Sequence, residues 1–133
     1  MEYRRHHRLV KHLFVGALLY CFAIPIVFTD FLLECYHRIC FPLLGIPIVK
    51  RSQYIRIDRH KLSYLNLWEK LNCAYCGYAN GLIMYAMRIA GETERYWCGI
   101  KHRDDPTFTP PAHHEFFLPY GDEKKFKQFV RKI

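Results

Sequence analysis

From Leu13 to Phe28 the chain reads LFVGALLYCFAIPIVF, 16 residues without a charge. If Asp30 is tolerated, the apolar character extends to Leu33, 21 residues in all, which is long enough for a helix to cross a bilayer. The run is too long, and too polar just beyond its end, to be a removed signal peptide, and no small-x-small cleavage pattern follows it. As a core helix of a soluble protein it would need cover on every side, and a chain of 133 residues has little to spare for that. The run therefore reads as a retained membrane anchor.

Both flanks of the anchor are basic. Arg4, Arg5, Arg8 and Lys11 precede it, while Lys50, Arg51, Arg56, Arg59 and Lys61 follow a second apolar stretch from Phe41 to Val49. A single span would place one of these clusters outside, against the positive-inside tendency. A helix that enters, breaks near Pro25 or at Thr29-Asp30 and returns keeps both clusters cytoplasmic. A monotopic or re-entrant protein on the cytoplasmic face is therefore favoured over a single span, with membrane lipids as its nearest partners.

Asp30, Glu34 and His37 are spaced i, i+4, i+7, so a continuing helix stacks two carboxylates and an imidazole on one face at the membrane boundary. The plain reading is a polar stripe at the water interface, paired with Arg38 or with the basic cluster. The functional alternative is a face that handles protons or a metal. Glu34 and His37 form a Glu-x-x-His pair, as in di-iron helical sites, but the second pair such sites need does not occur.

Downstream, Gln53 to Asp58 alternates apolar and polar residues like a short extended piece. Leu62 to Leu71 and Gly81 to Trp97 read as two helices, the second with a break expected at Gly91. Asp105-Pro106, Pro110-Pro111 and Pro119, interleaved with Phe108, Phe116, Phe117 and Tyr120, suit an extended arm with aromatic anchors. The closing DEKKFKQFVRKI is a basic amphipathic helix with Phe126, Phe129, Val130 and Ile133 on one side. The expected fold is mainly α: a membrane-embedded N-terminal helix (residues 1–49), a small helical cytoplasmic half (50–102) and an extended Pro/aromatic arm (103–133). With 51% apolar residues, 17% aromatic residues and no Gly/Ser linker, the chain is neither disordered nor visibly divided.

The cysteines form two sets. Cys21, Cys35 and Cys40 lie in or beside the apolar run and read as small buried hydrophobes. Cys73-x2-Cys76-Gly77 resembles a zinc knuckle, and Cys98-x3-His102 would complete a Cys3His set. The geometry sets a condition. A straight helix from Gly81 to Trp97 would be about 25 Å long and hold Cys76 and Cys98 at opposite ends. The shared site therefore needs a break at Gly91, or a substitution by His60, His113, His114, Cys35 or Cys40. Zn2+ is the expected ion, with redox-active iron in a rubredoxin-like centre as the alternative. A disulfide and inert reduced thiols also remain open.

The segments from Tyr36 to Gly81 and from Glu92 to His102 carry the patterns NCxYCxYANG and YWCxIKH. In these the chain resembles a group of small bacterial membrane-associated proteins of uncharacterised activity. The resemblance implies a bacterial inner-membrane location and makes Cys73, Cys76, Cys98 and His102 work as a set.

Other chemistry is sparse. There is no Walker loop, no G-x-S-x-G, no H-E-x-x-H and no dinucleotide fingerprint, and Ser52 and Ser63 are the only serines. No catalytic residue is nominated. His113-His114-Glu115 reads as a solvated loop, with metal binding as the alternative. The net charge of +8 flanks an apolar run, where phospholipid is a nearer anion than nucleic acid. The function expected from these features is that of a membrane-anchored accessory subunit or assembly factor of a larger membrane protein complex, stapled by a metal.

Overall fold

The computed structural model describes residues 9–130, so Arg4, Arg5 and Arg8 of the first basic cluster and Ile133 of the terminal apolar face lie outside the described residues. Among those described, the chain is mainly helical and has no strand. It contains α1 (Leu9–Cys21), α2 (Ala23–Leu43), α3 (Leu67–Trp97) and α4 (Glu123–Val130). Its contacts divide it into two units, residues 1–86 and 87–133, and the boundary falls inside α3.

In the first unit, α1 and α2 are interrupted only at Phe22, three residues before Pro25. Pro25 has no N–H to give to the carbonyl of Cys21, so the ladder loses a rung there. Phe22 keeps helical dihedrals (φ −70°, ψ −14°), and the chain continues instead of turning back. Thr29 and Asp30, the other expected break, lie inside α2. That helix ends on Gly45, whose φ of +68° closes a Schellman motif: Gly45 N–H donates to Pro42 O at 3.2 Å and Ile46 N–H to Phe41 O at 2.8 Å.

The residues after Gly45 run back along α2 and α3 as two 3-10 turns (Arg51–Gln53 and Arg59–Lys61) and irregular backbone; the expected extended piece at Gln53 to Asp58 forms no strand. α3 starts at a capping box. Glu69 N–H donates to Asn66 Oδ1 at 2.9 Å, and Asn66 N–H donates to the Glu69 carboxylate at 2.9 Å. From there α3 follows the direction of α1 and α2. Tyr75 donates to Leu19 O (2.9 Å), Tyr78 to Asp30 (2.6 Å) and Tyr85 to Glu34 (3.0 Å). The core of this unit holds Phe41, Leu65, Leu82 and Tyr85.

The two expected helices are therefore one helix of 31 residues, unbroken at Gly91. Its glycines are contact points. A Cβ on Gly81 would lie 2.6 Å from Tyr54 O and 2.8 Å from Ile55 Cα, and one on Gly77 would lie 3.0 Å from Arg56 O. The return segment thus lies against helix backbone where no side chain intervenes.

In the second unit, Gly99 (φ +59°) ends α3, and its N–H and that of Cys98 both reach Glu94 O, at 3.1 and 2.8 Å. The expected extended arm folds back. Leu118 N–H donates to Gly99 O and Lys101 N–H to Leu118 O, both at 2.8 Å, as an isolated parallel bridge between Ile100 and Leu118. The bridge brings a 3-10 turn, Ala112–Phe116, onto the last turns of α3 and buries His114, Phe117 and Ile89. Asp122 caps α4 by accepting from Lys125 N–H at 3.0 Å, a bond that also holds its carboxyl below the usual range.

Candidate functional site

The stripe Asp30, Glu34, His37 faces α3 and the return segment. Asp30 holds both arms of the Arg51 guanidinium, one of them at 2.6 Å, and accepts from Tyr78. Glu34 accepts from Arg38 Nε at 2.7 Å and from Tyr85 Oη. His37 is 1% exposed, and Val49 N–H donates to its Nε2 at 2.9 Å. A nitrogen that accepts carries no proton, so the neutral ring bears its hydrogen on Nδ1, which lies 2.9 Å from Tyr85 Oη. The hydroxyl accepts from the imidazole N–H and donates its own O–H to Glu34. The result is one chain of bonds from Val49 through His37 and Tyr85 to Glu34 and Arg38.

The phenols in this cluster hold their protons tightly. Burial first, then the bond to Asp30, pushes Tyr78 up to about 12, and burial with the bond to Glu34 does the same for Tyr85. The guanidinium of Arg51, bonded to Asp30 and 5.6 Å from the Tyr85 ring centroid, is raised further above its ordinary range. Every donor nitrogen or oxygen named here has a protein partner, which is the arrangement of a structural joint.

The predicted metal set does not assemble. Cys73 and Cys76 sit in the first third of α3, and Cys98 follows its end. α3 runs on past Gly91, so the break that a shared set of Cys73, Cys76, Cys98 and His102 required is absent. The first two cysteines fall in the first unit, while Cys98 and His102 fall in the second. The Cys-x2-Cys spacing is an i, i+3 pair on a helix face. Gly77, read as a knuckle glycine, is a seat for the Arg56 carbonyl.

His102 instead joins residues of its own unit. Glu94, on the last turn but one of α3, is hydrogen-bonded to His113 Nε2 (2.7 Å, at Oε2) and His114 Nε2 (3.1 Å, at Oε1). These bonds, that to His113 most of all, hold its carboxyl below the usual range. The His102 and His114 rings are 5.3 Å apart, and those of His113 and His114 4.8 Å. Glu94, His102 and His114 each bring one donor atom within 4.8 Å of the other two. His113 reaches Glu94 because Gly91 is bare: a Cβ there would lie 2.9 Å from His113 Cγ.

His114 is not a solvated loop residue; it is 3% exposed, and its Nδ1 has no hydrogen-bond partner. Leaving such an atom unmet costs about 1–3 kcal/mol. The cluster opens on a cleft of about 730 Å3 lined by His102, His114, Lys101, Arg103, Asp104 and Phe108 among others. Comparison with protein-family models, curated proteins and solved structures finds no match to this chain.

Proposed function

We propose that this chain is a membrane-anchored accessory subunit or assembly factor of a larger membrane protein complex, held monotopically by the exposed flank of α1 and α2. The observation that carries the reading is the stretch Phe14–Leu43: 30 residues, mean hydropathy 2.0 over its most apolar window, and none of that window buried. Ile24 is 77% exposed and Phe14, Phe22, Phe28 and Phe31 are each more than 60% exposed. Contiguous apolar surface on this scale is covered in a working protein by lipid or by another chain.

The opposite flank favours a seat on the membrane over a crossing. Arg51 lies against Asp30 and the Arg56 carbonyl against Gly77, so irregular, charged backbone runs beside α2 and the adjoining part of α3. Backbone of that kind is not tolerated where lipid tails surround it. Hydrocarbon can therefore cover only the far flank at that level. On α3, Leu67, Trp68 and Met84 are 71%, 73% and 60% exposed, which supports a protein neighbour beyond the lipid.

Membrane fractionation tests the anchor. The chain is expected to stay in the pellet through carbonate and high salt, with an intact mass and with tags at both ends on the same side of sealed vesicles. Tags on opposite sides would establish a crossing; a shortened or salt-released chain would remove the anchor. For the subunit reading, a photo-crosslinker at Trp68 or Met84 is expected to give one discrete protein adduct, and adducts with lipid alone would refute it.

A further inference from the structure

One carboxylate and three imidazoles meet in the second unit. We propose that Glu94, His102 and His114 bind one divalent transition-metal ion, zinc foremost, with His113 as a positioning residue and the remaining coordination position open to the adjoining cleft. This does not rest on the membrane reading.

The donor chemistry decides the class of ion. Imidazole nitrogen with carboxylate oxygen suits zinc and its first-row neighbours, whereas calcium and magnesium take oxygen ligands almost alone. The spacing agrees. Glu94 Oε1 and His114 Nε2 are 3.1 Å apart, close to the roughly 3.4 Å between two ligands of a tetrahedral ion with bonds of about 2.1 Å. His102 needs only a small approach to join them, and it is exposed on a loop that can supply it.

Three imidazole rings gather on one carboxylate, more donors than a single ion pair uses. His114 is almost wholly enclosed, so the fold holds its ring in place beside Glu94.

The support around the ligands is also present. His113 bonds Glu94 Oε2 at 2.7 Å, which fixes the carboxylate plane with both its oxygens within 3.2 Å of His114 Nε2. Gly91 lets that ring lie directly on the helix. Three protein ligands leave a zinc ion with a position for water or an exogenous group. His102 and His114 both line the cleft, so that position faces it, beside Lys101 and Arg103.

The test uses the full chain in detergent, stripped of metal, with Zn2+ competed against a chromophoric chelator and Co2+ as the spectroscopic probe. One equivalent is expected to bind. His102→Ala and Glu94→Gln, both at sites open enough to leave the fold intact by circular dichroism, are expected to weaken binding by about 100-fold or more, and His113→Gln by about 10-fold. Replacing Cys73, Cys76 and Cys98 together by Ser should leave affinity unchanged. The Co2+ form should show visible d–d bands without thiolate charge transfer, and azide should shift them. Absence of stoichiometric binding, affinity that survives both His102→Ala and Glu94→Gln, or a thiolate band that disappears with the cysteines would overturn the site. A spectrum unmoved by azide would overturn its open position.

Discussion

Replacing Gly81 by Ala sets two physical effects against each other, and the sign of the result decides which view of α3 is right. In a helix interior alanine is favoured over glycine by about 1 kcal/mol, because glycine loses more backbone freedom on folding. Against this, the new Cβ would stand 2.6 Å from Tyr54 O and 2.8 Å from Ile55 Cα, where ordinary contact begins at 3.4 Å. Both are backbone atoms and cannot swing aside, so the return segment must move outward by about 0.8 Å. Overpacking of that kind costs about 1–3 kcal/mol. The movement also travels, because Tyr54 N–H and Ile55 N–H both donate to Arg51 O, at 3.0 and 3.1 Å, and Arg51 holds Asp30. The net expectation is a loss of about 0–2 kcal/mol, more if the Arg51 to Asp30 pair loosens. Denaturant unfolding of the full chain in detergent, followed by circular dichroism, measures it. Gly16→Ala, with nothing within 4 Å of its Cβ, serves as the control. A Gly81→Ala protein stabilised by about 1 kcal/mol, the full unopposed gain of alanine over glycine, would refute the close approach.

Tyr85→Phe removes the hydroxyl between His37 Nδ1 and Glu34 and leaves a buried ring nitrogen unmet; the same unfolding assay should show a loss of about 1–3 kcal/mol, and a change within ~0.5 kcal/mol would contradict the bonded chain. Tyr78 and Tyr85 bind their protons more tightly folded, at about 12, than unfolded, at 10.0, so their stabilisation is complete below pH 10 and is lost as pH rises through 12. A pH series should therefore show stability falling in that window, and less steeply in a Tyr78→Phe, Tyr85→Phe double variant. Asn66→Ala removes the cap of α3 and should cost about 1 kcal/mol, measured as lost stability with α3 otherwise intact. Gly91→Ala should displace His113 and weaken Zn2+ binding toward the level of His113→Gln, as chelator competition would show.

What could be read in advance was what repeats locally. The spacing of Asp30, Glu34 and His37 put them on one helix face and called for cationic partners, and Arg38 and Arg51 are those partners. The identity of the second partner follows from the Schellman turn at Gly45, which sends the chain back along α2, and a turn's direction leaves only a faint sequence signal. The apolar pattern alone begins the next helix at Leu62, whereas the Asn66 to Glu69 capping box starts α3 at Leu67.

The glycines show why the rest was harder. A helix-interior glycine has the same sequence appearance whether it breaks the helix or makes room for something against it. Gly77, Gly81 and Gly91 all do the second: one receives the Arg56 carbonyl, one the Tyr54 to Ile55 backbone, one the His113 ring. Reading Gly91 as a break was what allowed Cys98 to be folded back toward Cys76. With α3 continuous that break is absent, and the same glycine becomes the reason that His113 can brace Glu94. Nothing near Glu94 in sequence announces its role; the bridge from Ile100 to Leu118 closes a loop that brings His102 and His114 to it. The donor set is thus a product of tertiary closure, and disrupting that bridge should scatter it while leaving α3 helical, which is the reverse of what a site built on the helix's own Cys-x2-Cys spacing would do.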